Sequence, residues 1–330
     1  MLKIRSNNRA WLWALTACAI FFGVSGIAAA SQSQENFPSK PIRWVIPWGP
    51  GSTTDMLART LSGEVSAILG VSVIVENKAG ADGNIGAAYV SAAKPDGYTI
   101  MMGTASTNAV NVLLQDGLRY NPGKDFRAVA KLASIPNVLV VSKQIPATNV
   151  QELIALARKE PYSFGSTGAG GTVHLSGELF KNMTGLDLLH VPYKGGSTLL
   201  TDLLTARVQM MFCNIPLCIS HIESGDLVAL GITSAKPYGL LPEVPPIAEQ
   251  GLPNFDIVGW YGVFAPAGVP DEAVGILNAA FNKALQSPQV SGVLKRLGAE
   301  VEITTPEEFD AFTREEQRRW KELVSQMDIQ

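Results

Sequence analysis

Charged residues are scarce in this chain, and no long hydrophobic run occurs after its N-terminus. Lys, Arg, Asp and Glu make up only 17% of the 330 residues, which is too few for a coiled coil. The formal net charge of −3 provides no basic surface, so nucleic acid is excluded as a partner. A hydrophobic content of 46% excludes disorder, and the length suits one large domain or two of about 150 residues.

Cysteine and histidine are equally rare, with three of each. Cys213, Cys218 and His221 lie close in sequence, but their spacing matches no common zinc motif and a fourth ligand is missing. We therefore expect no metal ion and no cofactor. A disulfide between Cys213 and Cys218 is possible in an oxidising compartment, although sequence alone does not show whether the two side chains can meet.

The first thirty residues have the pattern of a secretory signal peptide. Lys3, Arg5 and Arg9 precede an apolar run, which ends in three alanines before a polar segment. The alternative, an uncleaved anchor helix, is disfavoured because the run is shorter than the ~20 apolar residues of a membrane span. Removal of residues 1–30 leaves 23 of the 26 basic residues against 29 acidic ones. We expect an exported, periplasmic protein with this segment cleaved.

The remaining chain alternates short apolar runs with segments of helical periodicity. Residues 42–46 read as a strand and 53–69 as a helix, and similar pairs recur up to residue 212. Residues 134–137 are predicted to interrupt two apolar runs within 129–141, and 258–265 reads as a long strand. The C-terminal part is helical, with Phe309 and Trp320 on a core-facing side. Successive β-α-β units predict parallel sheets flanked by helices, hence an α/β fold.

Two glycine-rich turns that join a strand to a helix are the main functional signal. One spans residues 48–54 and the other 166–172. Helix N-termini present unpaired N–H groups and a partial positive charge, and glycine lets a ligand approach the backbone. Two such turns on opposite sides of a cleft would bind an anion, with hydroxyl groups as additional donors. The alternative is that both are ordinary capped turns.

Several motifs at these positions resemble the Bug-type extracytoplasmic substrate-binding proteins, the receptors of tripartite tricarboxylate transporters. They are PWGPGSTTD at 47–55, ENKAGA at 76–81, KPDGYT at 94–99, YNP at 120–122, GAGGTVHL at 168–175, VPYKG at 191–195 and WYGVFAP at 260–266. The resemblance extends over essentially the whole chain after the signal peptide. It implies a two-lobed periplasmic-binding-protein-like fold of type II, with a mostly parallel sheet in each lobe and the ligand cleft between them.

The resemblance also implies domain boundaries and a set of binding residues. Lobe 1 would comprise residues 31–136 and 254–330, and lobe 2 residues 137–253. The ligand, a small organic carboxylate, would be held by residues of both lobes. These are Trp48, Gly49, Gly51, Ser52, Thr53, Thr54, Asp55, Ser106, Asn108, Ser166, Thr167, Gly168, Gly170, Gly171, Thr172, His174 and Asn214. The partner would be the membrane subunits of a tripartite tricarboxylate-type transporter, and the receptor itself a monomer.

The sequence departs from the family pattern at three positions. Trp48 replaces Phe or Tyr, and Ser52 replaces the second of two successive glycines, so both changes narrow the pocket. Cys213 stands where an acidic residue is common, which favours a plain carboxylate over an amino acid. Val in place of Gly51 or Gly170 is expected to abolish binding without changing the stability of the ligand-free protein.

Two other functions remain alternatives. A ligand-loaded sensor or adaptor for a signalling membrane protein would use the same cleft and the same closure. A periplasmic hydrolase is the least favoured, although His174 could act as a base beside Ser166. No nucleophile elbow, P-loop or complete dinucleotide fingerprint is present in the sequence, so we expect no enzymatic activity.

Overall fold

The predicted alternation forms ten strands and ten α-helices within residues 37–167, 170–193 and 195–325, the part of the chain that the computed structural model describes. The strands are β1 (Ile42–Ile46), β2 (Val73–Asn77), β3 (Thr99–Thr104), β4 (Phe126–Ser142), β5 (Tyr162–Ser166), β6 (Leu188–Pro192), β7 (Met210–Asn214), β8 (Leu227–Ile232), β9 (Val258–Pro266) and β10 (Glu300–Val301). The helices are α1 (Thr53–Leu69), α2 (Asn84–Ser91), α3 (Asn111–Leu114), α4 (Val150–Ala157), α5 (Thr172–Thr184), α6 (Gly196–Leu204), α7 (Ile215–Glu223), α8 (Asp271–Leu285), α9 (Pro288–Arg296) and α10 (Pro306–Ser325). None of the described helices combines the length and apolar character needed to span a bilayer. The predicted signal peptide lies outside the described residues.

All ten strands belong to one mixed sheet, and the α/β prediction is confirmed. The strand order is β2-β1-β3-β9-β4-β7-β5-β6, and β8 and β10 also pair with β4. The short β-α-β units pair in parallel as predicted, β1 with β2 and β3, and β5 with β6 and β7. The two longest strands, β4 and β9, add antiparallel pairings with each other and with their neighbours. Parallel strands therefore lie on both sides of an antiparallel centre.

The interruption predicted within 129–141 is absent, because β4 is continuous from Phe126 to Ser142. Pro136 lies inside this strand, opposite Val258 of β9, at the point where β4 changes partner. From Asn137 onward β4 pairs with β7 and β8 instead. The Asn137 N–H donates to Thr233 Oγ1 at 2.8 Å, and the Asn137 carbonyl accepts the Thr233 N–H at 3.0 Å. A proline has no N–H to donate to a neighbouring strand. Pro136 is tolerated in β4 because it lies where the pairing with β9 ends and the pairing with β7 and β8 begins, so few hydrogen bonds of the sheet are lost.

Helix α10 packs on the sheet through the side chains that its periodicity predicted to be buried. Phe309 is fully buried, and Trp320 is nearly so. Glu316 accepts the indole N–H groups of both Trp260 and Trp320, at 2.9 and 3.1 Å. A buried carboxylate with two donors avoids the cost of an unpaired charge, and here it joins the C-terminal helix to β9.

The sequence did not predict α7 or β8, which follow β7. Asn214 ends β7, and Pro216 occupies the first turn of α7, where a proline costs no hydrogen bond. Cys213 and Cys218 form a disulfide that joins β7 to α7, with the two Cα atoms 6.4 Å apart. The disulfide, which the sequence left undecided, is therefore present in the structure.

Candidate ligand-binding site

The six parallel strands end at one cavity of about 640 Å³. Loops that follow β1, β2, β3, β5, β6 and β7 contribute to its wall, and residues 259–261 of β9 complete it. In open α/β sheets, ligands bind outside the carboxyl ends of strands, where helix N-termini converge. The arrangement of the strands thus places helix N-termini around one shared cavity.

Most of the predicted binding residues line this cavity. They are Trp48, Gly49, Gly51, Ser52, Thr53, Thr54, Ser106, Thr167, Gly171, Thr172 and Asn214. The two glycine-rich turns therefore face a shared space rather than opposite sides of the molecule. Asp55, Asn108, Ser166, Gly170 and His174 are buried but do not line it, and Gly168 lies outside the described residues.

The first loop is closed by the side chain of Asp55. Its Oδ2 accepts the Gly51 N–H at 3.0 Å, and its carboxylate also accepts Arg59 Nε and Asn77 Nδ2. Burial acts to raise the pKa of Asp55, but these hydrogen bonds outweigh it and hold the pKa below its ordinary value. Asp55 therefore braces the loop and does not face a ligand.

The donors that the first loop leaves for a ligand belong to helix α1. Ser52 caps the helix, and its Oγ accepts the Asp55 N–H at 3.3 Å. The first N–H groups of a helix have no acceptor within the helix, so those of Thr53 and Thr54 remain available at the cavity wall. The Gly51 N–H, which the sequence suggested as a donor, is already bound to Asp55.

The second loop is built in the same way around His174. The Gly170 N–H donates to His174 Nδ1 at 3.2 Å, again across four residues into the first turn of the following helix. Gly170 has a φ of +79° and Gly51 a φ of +80°, a conformation that glycine adopts without cost. Gly171 precedes α5 without a side-chain cap, so the N–H groups of Thr172 and Val173 are left as donors.

These φ values change one expectation about the two glycines. Val at Gly51 or Gly170 would be a β-branched residue at positive φ, which is strained whatever the free space. Such variants would lose stability as well as binding, so the expected unchanged stability does not hold. Gly49 and Gly171 line the cavity without positive φ, and a Cβ at either meets no atom within 4 Å.

A cluster of polar side chains supports the second loop from behind. Ser166 Oγ lies 2.7 Å from His190 Nε2, and the His174 and His190 rings lie 4.2 Å apart. Glu178 Oε1 lies 3.4 Å from His174 Nε2. Burial, reinforced by the neighbouring His174, lowers the pKa of His190 to about 4. Ser166 is thus hydrogen-bonded to His190 rather than to His174, and both imidazoles hold the loop in place.

The same cluster brings together three side chains that could ligate a metal ion. Atoms of His174, Glu178 and His190 lie within 4.8 Å of one another. The Gly170 N–H, however, directs its proton at His174 Nδ1, which places the imidazole proton on Nε2, facing Glu178. A metal ion on Nε2 would have to reverse this pattern and release the loop, so the cluster is arranged for support rather than for ligation.

Several cavity residues were missed in the sequence. Asp82 follows β2, Thr104 ends β3, Gly196 and Ser197 begin α6, Leu217 lies in α7, and Tyr261 belongs to β9. Burial raises the pKa of Tyr261 to about 12, although the Thr53 side chain opposes the effect. Most of these residues lie at strand ends, so the rule that ligands bind beyond the carboxyl ends of strands could have found them.

Comparisons with known proteins place this architecture in one class, the extracytoplasmic solute receptors of tripartite tricarboxylate transporters. The model of the tripartite tricarboxylate transporter family receptor (TctC) matches residues 57–329. The chain belongs to this family, and the resemblance to Bug-type receptors is confirmed.

Individual relatives agree with this assignment. BugT of Bordetella pertussis is 34% identical over 94% of this chain and 96% of its own length. Among solved structures, Rpa4515 of R. palustris with adipate is 37% identical, with a TM-score of 0.83 over 88% of this chain and 98% of that one. MatC of Rhodopseudomonas palustris with bound malate is 32% identical, with a TM-score of 0.80 over 87% of this chain and all of that one.

Proposed function

We propose that this receptor captures a small organic carboxylate in the cavity at the strand ends and delivers it to the membrane subunits of a tripartite transporter. The observation that carries the proposal is the pair of loops at residues 48–54 and 166–172, whose helix N-termini line one cavity. Two related receptors of the same fold have structures with adipate and malate. Both compounds carry the carboxylate that such N-termini attract.

Neutral donors are sufficient for such a ligand. A hydrogen bond to a charged group contributes about 1.5–3 kcal/mol, and the loops offer backbone N–H groups together with hydroxyls of Ser52, Thr53 and Thr172. After the costs of ordering and desolvation, four or five such bonds are compatible with roughly micromolar affinity. An arginine clamp is not required, and Arg59 pairs with Asp55 away from the cavity.

The strand pairings of β4 support the two-lobed arrangement that was proposed from the resemblance. This strand pairs with β9 as far as Pro136 and with β7 and β8 from Asn137. The boundary proposed between lobe 1 (31–136 and 254–330) and lobe 2 (137–253) falls at this change of partner. A ligand held by loops of both lobes would bind the closed arrangement more tightly than the open one, and would therefore shift the equilibrium toward closure.

We further propose that residues 1–30 direct export, that the mature receptor acts in the periplasm as a monomer, and that it has no enzymatic activity. A hydrolase would need an accessible nucleophile. Ser166, which lies beside His190, is fully buried and does not line the cavity. A sensor role would use the same cavity and would differ only in its membrane partner.

Isothermal titration of the mature protein with acetate, succinate, malate, adipate and benzoate tests the proposal. At least one carboxylate should bind with a Kd in the micromolar range or below and should not be consumed. Failure of every compound, together with failure of their amino-substituted analogues, would contradict the carboxylate proposal, and turnover of a bound compound would contradict the receptor role.

A further inference from the structure

Asp82 is the one side chain charged at neutral pH among the described residues that line the cavity. The remaining described wall consists of backbone, hydroxyl, amide, aromatic and aliphatic groups. A carboxylate in a cavity that otherwise attracts anions is an unfavourable choice, because like charges repel strongly where water is partly excluded. The position of Asp82 therefore needs an explanation in terms of the ligand.

The turn that carries Asp82 is fixed to the first loop. Gly83 packs against Trp48 and Pro47, where an added Cβ would lie 3.1 and 3.3 Å from their side chains. The Asp82 carbonyl accepts Asn111 Nδ2 at 2.9 Å. Asp82 has a φ of +52°, which Asp and Asn tolerate better than other non-glycine residues. These contacts hold the backbone of the turn at a defined place in the cavity wall.

The carboxylate has little of the compensation that a partly buried charge requires. Its side-chain donor in the described structure is the neutral amide of Gln115, with Nε2 3.4 Å from Oδ2, and no described Lys or Arg forms a salt bridge with it. Burial raises the pKa of Asp82, with Gln115 and the more distant His174 opposing the rise. A cationic group of a ligand would supply the missing partner.

We propose that Asp82 recognises an ammonium group of the ligand, so that the receptor prefers carboxylates that also carry an ammonium group to dicarboxylates of similar length. The ligand carboxylate would accept the N–H groups at the starts of α1 and α5, and the ammonium group would point toward Asp82. A second carboxylate at the same end would instead meet a like charge. This inference rests on the proposed carboxylate-receptor function.

The inference reverses the ligand preference drawn from Cys213. That residue is fully buried in a disulfide and does not line the cavity, so the absence of an acid there says nothing about the ligand. The counter-charge for an ammonium group is supplied by the turn after β2 rather than by the end of β7.

Matched ligands and matched variants test the proposal by titration calorimetry. The pairs are 6-aminohexanoate with adipate, and glutamate with glutarate. The variants are Asp82→Asn, which suits positive φ and removes the charge, and Asp116→Asn, which removes the same charge from an exposed residue outside the cavity. In the wild type, one ammonium-bearing compound should bind at least about tenfold tighter than its partner.

Asp82→Asn should weaken binding of that compound roughly ten- to hundredfold, the range expected for one hydrogen bond between charged groups. It should leave adipate or glutarate unchanged or bound more tightly, and Asp116→Asn should change neither. Carboxylate binding without an ammonium preference, or a preference that survives in Asp82→Asn, would overturn this inference and leave the proposed function standing. If no carboxylate binds at all, with or without an ammonium group, both fail.

Discussion

Gly51 and Gly170 occupy equivalent positions in two loops on different parts of the sheet. Their φ angles are +80° and +79°, and each N–H donates to a side chain four residues later, Asp55 and His174 respectively. Each glycine therefore shapes its loop, while the helix N–H groups that follow it remain available for a ligand. Two different side chains, a carboxylate and an imidazole, serve as the same kind of brace.

Asp55→Ala should disturb the first loop. The change leaves the Gly51 N–H without its acceptor, while the Asn77 amide keeps only the Trp48 carbonyl; the unpaired N–H costs about 1–3 kcal/mol in the free energy of unfolding. Affinity for carboxylates should fall as well, because Thr53 and Thr54 lose their fixed orientation. Urea unfolding and calorimetric titration measure the two effects.

Arg59→Ala is the control, since it removes an exposed partner of Asp55 and should cost no more than about 1 kcal/mol in the free energy of unfolding. Equal losses in both variants would contradict the bracing role.

Gly49→Ala and Gly171→Ala should separate binding from stability. Neither residue has positive φ, and neither Cβ would meet a protein atom within 4 Å, so the free energy of unfolding should change by less than about 1 kcal/mol. A methyl group at the cavity wall should reduce carboxylate affinity roughly tenfold, the equivalent of one charge-assisted hydrogen bond.

The matched control for these variants is Gly63→Ala on the exposed side of α1, where the added Cβ also meets no atom within 4 Å. Alanine should stabilise this helix by up to about 1 kcal/mol and leave affinity unchanged. Full affinity in both Gly49→Ala and Gly171→Ala would show that the helix N-termini do not hold the ligand.

His190 should make stability depend on pH. Its pKa is lowered from 6.5 to about 4 in the folded protein, so the unfolded chain binds the proton more readily. The free energy of unfolding should therefore decrease as the pH falls from 6.5 toward 4, and this contribution should level off below 4. Allowing for partial exposure, we expect a loss on the order of 1–2 kcal/mol.

Chemical unfolding at several pH values measures this loss, with His190→Gln as the control because glutamine keeps a polar partner near Ser166 without titrating. The variant should lose less stability than the wild type over the same interval. Identical pH profiles for the two proteins would exclude His190 as the source.

Reduction of the Cys213–Cys218 disulfide should lower stability without abolishing binding. A bridge across a sequence separation of five residues closes a short loop, for which chain entropy gives about 2 kcal/mol. The thermal midpoint should fall in dithiothreitol for the wild type and should not respond in the Cys213→Ala/Cys218→Ala double variant. A midpoint that dithiothreitol leaves unchanged in the wild type would contradict a stabilising bridge.

Local periodicity predicted the parts of the fold that depend on local sequence. The bounds of β1 and α1 agree with the sequence prediction, because apolar spacing and capping residues determine them. The continuity of β4 across Pro136 could not be predicted in this way, since its partners there, β9, β7 and β8, lie far along the chain. Helix α7 was missed for a related reason: its short apolar segment contains a proline and follows a strand directly.

The site shows the same division. Strand-to-helix turns are visible in the sequence, so both loops were predicted. Whether a first-turn side chain faces the cavity or the loop is decided by packing, and Asp55 and His174 both face the loop. Asp82 was missed although it follows β2, because only the fold shows that this turn packs against Trp48 and Pro47 of the first loop.

The position of β9 has a consequence for how the polypeptide reaches its native state. This strand lies between β3 and β4 in the sheet, although more than a hundred residues separate it from either one along the chain. Until it is synthesised, β3 and β4 keep exposed backbone edges, which are prone to pairing with other chains. A nascent or truncated product lacking the C-terminal quarter therefore has no way to complete its central sheet, and its open strand edges favour aggregation.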